Sequence, residues 1–186
     1  NITSVHKFAN VSLNGDNWGV MNIEEHVSKH LLEKQNRKNS PFVKFSGEKK
    51  WLYKYSSKNE YLPYRISDPS LSIHLYDRKK LLLDIHNRNI YSYIVKNINN
   101  NNLDIYDYES IKNAFLLALV WGQSHVLLNS NAKYYFNPYT LKLEIIAGDQ
   151  TNWKSIENLN YESIPNHFLD LMTKGSDLKS FKDNLK

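Results

Sequence analysis

Between Tyr108 and Trp121 the chain places Ile111, Phe115, Leu116, Leu117, Leu119 and Val120 with almost no polar side left over. A helix that is apolar nearly all round is buried by its neighbours. This segment therefore predicts a central helix against which the rest of the domain must pack. Asp107 supplies an N-cap carboxylate, and Gly122 stops the helix. The residues after Gly122 are chemically different. Gln123-Ser124-His125, then Asn129 and Asn131, make an acceptor-rich loop. Two short β-runs, Lys133 to Phe136 and Leu141 to Ala147, are joined by Asn137-Pro138-Tyr139-Thr140, and the second ends on Gly148-Asp149. A hairpin of this kind can bring its terminal carboxylate back beside the loop asparagines. Oxygen donors converging in this way suit a hard cation such as Mg²⁺ holding phosphates.

The first sixty residues read as a small β-rich lobe with one helix. Phe8 to Leu13 alternates apolar and polar side chains, Asn14-Gly15 supplies turn residues that accept positive φ, and Trp18 to Ile23 returns as the partner strand. Glu24-Glu25 are expected to open an amphipathic helix reaching about Gln35, with Val27, Leu31 and Leu32 inward. Pro41 to Phe45 resumes as strand, and Trp51 to Tyr55 is a further strand candidate. Ser56 to Ser72, with Pro63 and Pro69 and no clear period, reads as a hinge. Beyond it a helix is predicted over about 78 to 98, with Leu83, Ile90, Ile94 and Ile98 on one stripe. A last helix is predicted over Ile164 to Met172, ahead of a polar tail.

At 186 residues the chain suffices for one domain with a sizeable core. Its net charge of +5 is dispersed, densest at Lys49-Lys50 and Arg78-Lys79-Lys80, so no nucleic-acid partner is expected. There is no cysteine, which excludes disulfides, thiolate metal sites and cysteine nucleophiles. No membrane-spanning run or signal peptide is visible. A chain opening at Asn1 is expected to be a processed fragment.

The outline of a β-rich lobe, a hinge and a helical lobe with an acidic hairpin comes with specific words. Asn14-Gly15-Asp16-Asn17-Trp18-Gly19, running on to Glu24-Glu25, resembles the "NG…WG…E" segment of the CotH, or spore-coat-protein-H-like, kinase family. Phe42-Val43-Lys44-Phe45 looks like that family's "LYK" strand. Trp121-Gly122-Gln123-Ser124-His125, then Asn131 to Thr140, resembles its "WG…H…N…YYYNP.T" block. Leu143 to Asp149 looks like "LEPI…D", with Ile145 where the pattern has proline. The similar blocks, 14–45 and 107–149, cover a third to a half of the chain.

The resemblance implies an α+β, bilobal, atypical protein-kinase-like fold, present in part: a single domain over 1–186 with a β-rich sub-lobe 1–62 and a helical sub-lobe 63–186. It implies ATP with Mg²⁺ (or Mn²⁺), transfer to protein hydroxyls, and an extracellular or cell-surface setting. Residue by residue, Lys44 falls on the "LYK" lysine, with Glu25 on the glutamate that would orient it, so these two would hold the nucleotide. Asn131 and Asp149 fall on the metal ligands. The family's catalytic aspartate would fall at Val126, which leaves His125 as the candidate base. A pseudokinase or structural module in a coat or cell-surface assembly therefore stands beside the enzyme as the alternative.

Each residue also has a plainer reading. Asp149 could cap a turn, Asn131 could satisfy loop backbone, and His125 could bond a carbonyl at the helix end. Lys44 could be a solvated strand lysine, with Lys54 as the substitute phosphate ligand. His26 and His30, four apart, lack a third ligand and read as surface histidines. The four tryptophans and thirteen tyrosines read mainly as packing, with an exposed carbohydrate platform as a weaker option.

Overall fold

The computed structural model describes residues 2–46, 72–76, 82–100, 102–122, 124–127, 131–146 and 172. Within them the class is α+β, with two antiparallel sheets and three α-helices. Strands β1 (His6–Leu13) and β2 (Asp16–Glu24) form a separate hairpin. Its turn sits on Asn14 (φ 54°) and Gly15 (φ 91°), the paired left-handed residues that a right-twisted hairpin requires. Helix α1 (Lys29–Lys34) comes next, then β3 (Phe42–Ser46), β4 (Ser72–Leu75), α2 (Ile85–Asn99), α3 (Tyr108–Trp121), β5 (Lys133–Asn137) and β6 (Lys142–Ile146). Short 3₁₀ turns lie at Leu103–Ile105 and His125–Leu127.

Four strands form one sheet in the order β4-β3-β5-β6. The strand β3, expected in the smaller sub-lobe, is hydrogen-bonded directly to β5, expected in the helical one, through the pairs Phe42–Tyr135, Val43–Tyr134 and Lys44–Lys133. Both faces of this sheet carry buried residues, and the period of two sorts them between two clusters. Val43, Phe45, Tyr134, Phe136, Leu143 and Ile145 belong to a core shared with Ile90 and Ile94 of α2 and Ile111, Ala114 and Phe115 of α3. Phe42, Tyr135 and Ile146 join Ile2, Val27, Leu31 and Leu32 in a second cluster around α1.

Several expectations change in detail. Helix α1 does not open at Glu24. That residue is still in β2, paired with His6, and the helix begins after Ser28, whose hydroxyl accepts from Leu31 N–H at 3.4 Å. The inward residues Val27, Leu31 and Leu32 are buried as expected. Helix α2 starts at Ile85 because Asp84 caps it, accepting from His86 N–H at 3.1 Å. Leu83 lies before that cap and is 83 % exposed, off the buried stripe. Ser72, expected to end the hinge, instead starts a strand paired with β3.

Helix α3 keeps the predicted bounds, with Asp107 as N-cap and Gly122 left-handed at φ 61°. It is not covered all round, however, since Leu116 and Val120 are 49 % and 70 % exposed. The strand candidate Trp51–Tyr55, Lys54, the rest of the hinge and all of the last helix except the helical Met172 lie outside the described residues.

Among the described residues, Tyr134 puts a polar atom into the larger core at a cost. Tyr134 is fully buried against Phe45 and Tyr106, and its hydroxyl has no hydrogen-bond partner. An unsatisfied buried hydroxyl costs about 1–3 kcal/mol, so Tyr134→Phe is expected to raise stability by about 1 kcal/mol in urea unfolding. Burial drives the Tyr106 and Tyr134 hydroxyls upward in pKa. It also pushes Tyr135 from 10.0 to about 12, with Arg37 pulling it down and Glu144 adding to the rise. A folded pKa above the unfolded one means that stability is intact below pH 10.0 and is lost as pH rises through about 12. Melting temperature is expected to fall across that window. Phenolate absorbance from these rings should appear together with unfolding and not before it.

Candidate functional site

The strand period decides what stands beside Lys44. Val43 and Phe45 point into the larger core, so Lys44 is on the opposite face and is exposed. Its cross-strand partners are His74 on β4 and Lys133 on β5, and Lys133 is in turn opposite Ile146 on β6. Directly opposed residues point to the same face, with Cβ atoms about 4.5–5.5 Å apart. A row His74–Lys44–Lys133 therefore crosses three strands. Two lysines directly opposite repel each other, and among the described residues no carboxylate forms an ion pair with either. The Lys44 ammonium instead lies 5.6 Å from the centroid of the Tyr76 ring, a cation–π contact that leaves its N–H donors open. Two adjacent lysines on one sheet face, neither paired with a carboxylate among the described residues, are suited to accept an anion.

Glu25 does not orient Lys44. Its Oε1 accepts from Lys34 Nζ at 2.6 Å, and its Oε2 is shielded with no partner. The helix that begins late places Lys34, beyond the first turn after Ser28, over the carboxylate. The expected pairing is corrected to Glu25–Lys34, and Lys133 takes the place beside Lys44 that Glu25 was to fill.

Asn131 is partly buried and lies two residues before Lys133, at the entry to β5. Its strand therefore joins the metal-side candidate to the cationic row. Asp149 and Lys54 lie outside the described residues, three residues beyond the end of β6 in the case of Asp149. The His125 backbone is in the 3₁₀ turn after α3. Its neighbours Val126 and Leu127 are 2 % and 0 % exposed and belong to the larger core. Position 126, where the resemblance calls for an aspartate, is thus a packing position.

The donor set distinguishes phosphate from metal. Lys44 and Lys133 attract an anion and repel a cation, so this pair is a donor set for phosphate-like oxygens and not for a metal. Among the described residues no three His, Asp or Glu side chains converge on a metal-sized site. A cation held here would need Asp149 and the Asn131 amide oxygen, a donor pair of the kind Mg²⁺ takes alongside phosphates and water. A groove of about 180 Å³ lies elsewhere, between α2 and the β5–β6 turn, lined by His86, Ile90, Tyr93, Phe136, Pro138 and Leu141. It contains none of the expected site residues.

His26 is exposed and edge-on to Tyr76 at 6.4 Å, and His30 is exposed 3.5 Å from Glu33, so both stand on the surface as the sequence reading expects. His74 and Lys133 escape sequence reasoning. Lys133 lies inside the same motif as Asn131, yet nothing local tells that β5 will lie beside β3. Among the described residues no helix is long and apolar enough to cross a membrane. Comparison of the chain with protein-family models, curated proteins and solved structures finds no match.

Proposed function

We propose that this chain is a nucleotide-binding domain of the CotH-like kinase type, taking ATP with Mg²⁺ and directed at protein hydroxyls. The observation that carries the reading is the adjacency of Lys44 and Lys133 with no carboxylate paired to either among the described residues. The two ammonium groups grip phosphate oxygens, and Asn131, at the head of the same strand, serves the cation together with Asp149. Phosphoryl transfer is catalysed mainly by positioning and charge stabilisation, so a rigid sheet is a suitable platform for the phosphate ligands.

Binding of ATP, with and without Mg²⁺, is measured by calorimetry and thermal shift. Losing one charge-assisted contact is worth about 1.5–3 kcal/mol, so Lys44→Ala and Lys133→Ala are each expected to weaken binding by roughly 10- to 100-fold. Wild-type protein that neither shifts nor binds with either ligand would remove the nucleotide reading.

A second reading, a non-catalytic module of a coat or cell-surface assembly, is favoured by Val126, buried in the core where an acidic base would have to stand. Labelled ATP separates the two. Incorporation that disappears in Asp149→Ala supports transfer, with His125 as the remaining base, and binding without turnover supports the module.

A further inference from the structure

We propose that the β1–β2 hairpin is an assembly arm whose partner is a second copy of this chain, the β1 edge of one molecule pairing antiparallel with the β2 edge of the next. The arm is distinct from the phosphate face, since neither Lys44 nor Lys133 lies in it. Among the described residues, neither strand pairs with the four-stranded sheet and no residue of either strand enters the two cores. Only Ala9, Val11 and Gly19 of its seventeen strand residues are even partly buried. Ile2 and Val27, which flank the hairpin, are 1 % and 7 % exposed in the α1 cluster, so the arm projects from a fixed base.

What it displays is apolar. Phe8 is 78 % exposed, Val20 67 %, Trp18 55 % and Ile23 54 %. The register puts Phe8 opposite Asn22 and Asn10 opposite Val20, which places Phe8 and Val20 on one face, with Met21 and Ile23 on the other. A two-stranded hairpin is at best marginally stable in water. Long edges are ordinarily blunted by proline, charges or bulges; β1 and β2 contain no proline, and their blunting is limited to Lys7, Asp16 and Glu24 near the strand ends and one register shift between Val11 and Ser12.

Like-charge repulsion and register narrow which edges meet. The only ionisable side chains of β1 are His6 and Lys7, and the only ones of β2 are Asp16 and Glu24. A full-length antiparallel β2–β2 pair would set Asp16 opposite Glu24 twice, a like-charge arrangement that destabilises a ladder. A β1–β1 pair gains no opposite charges. Repeating the hairpin's own register between molecules sets His6 of one copy opposite Glu24 of the next, and continues the apolar rows across the junction. Such a contact joins two different edges and does not close, so growth beyond a dimer is expected.

Sedimentation velocity of the full chain over a concentration series tests this. The mass should rise past the dimer with concentration, and about 1 M NaCl, where the screening length is about 3 Å, should lower it. His6→Glu and Glu24→Lys should each weaken association about tenfold, and an equimolar mixture of the two should restore it. Hydrogen exchange of residues 6–24 in dilute samples verifies that each arm remains paired. A wild-type chain monomeric at every concentration overturns the proposal. So does association that stops at a dimer and strengthens in salt, which would mean apolar stacking of arm faces. The wild-type series decides even where a variant loses its hairpin.

Discussion

Glu144→Ala is expected to lower stability by about 2–4 kcal/mol, the range for breaking a largely buried ion pair by removing one partner, reduced because Arg37 remains a third exposed. Glu144 is 8 % exposed. Its two oxygens meet Arg37 at 3.2 and 3.0 Å, and Oε1 also accepts from Asn137 Nδ2 at 2.6 Å. That last bond orients the Asn137 amide so that its oxygen receives Tyr139 N–H at 2.9 Å and Thr140 N–H at 3.4 Å. One carboxylate thus secures both the connection from residue 37 to β6 and the turn that joins β5 to β6. Chemical denaturation of Glu144→Ala, Arg37→Ala and the double variant measures the coupling. If the single losses simply add, the pair is decorative and the turn is held by its backbone.

Phe115→Ala is expected to cost about 3–5 kcal/mol, whereas Leu116→Ala, one residue along the same helix, should cost under about 1 kcal/mol. Phe115 is 2 % exposed in the larger core, and Leu116 is 49 % exposed. Both are large apolar residues of α3, so composition gives no reason to distinguish them. Equal losses in urea unfolding would mean that the outer side of α3 is covered in solution. The contrast arises from how a helix meets a sheet: only the stripe containing Ile111, Ala114, Phe115 and Ala118 can touch the strands at once.

Elements with strong local signals are legible in the sequence. The α3 bounds rest on a capping aspartate and a terminating glycine, and both act as expected at Asp107 and Gly122. The Asn14-Gly15 turn needs only two residues that tolerate positive φ. The β5–β6 hairpin is readable as two short β-runs joined by Asn137-Pro138-Tyr139-Thr140. The start of helix α1 is misleading because Glu24-Glu25 looks like an acidic first turn. The pairing of β2 with β1 keeps Glu24 extended, and a tertiary ladder outweighs a weak local preference. At the candidate site, a family resemblance points to Lys44 and Asn131. It does not point to Lys133, and it assigns Glu25 a partner that the fold gives to Lys34.

The amino-acid order by itself determined the α3 helix with its Asp107 cap and Gly122 stop, the Asn14-Gly15 and β5–β6 hairpins, and that Lys44 must face away from Val43 and Phe45. These are properties of spacing over a few residues, fixed by 3.6- and 2-residue periods. Only the tertiary structure decided that β3 lies against β5, that Lys44 meets Lys133, and that Glu25 goes to Lys34. The β3–β5 pairing depends on which apolar faces can be buried simultaneously, and burial is a property of the whole packed chain; the Glu25–Lys34 contact follows from the β1–β2 ladder that delays the start of α1.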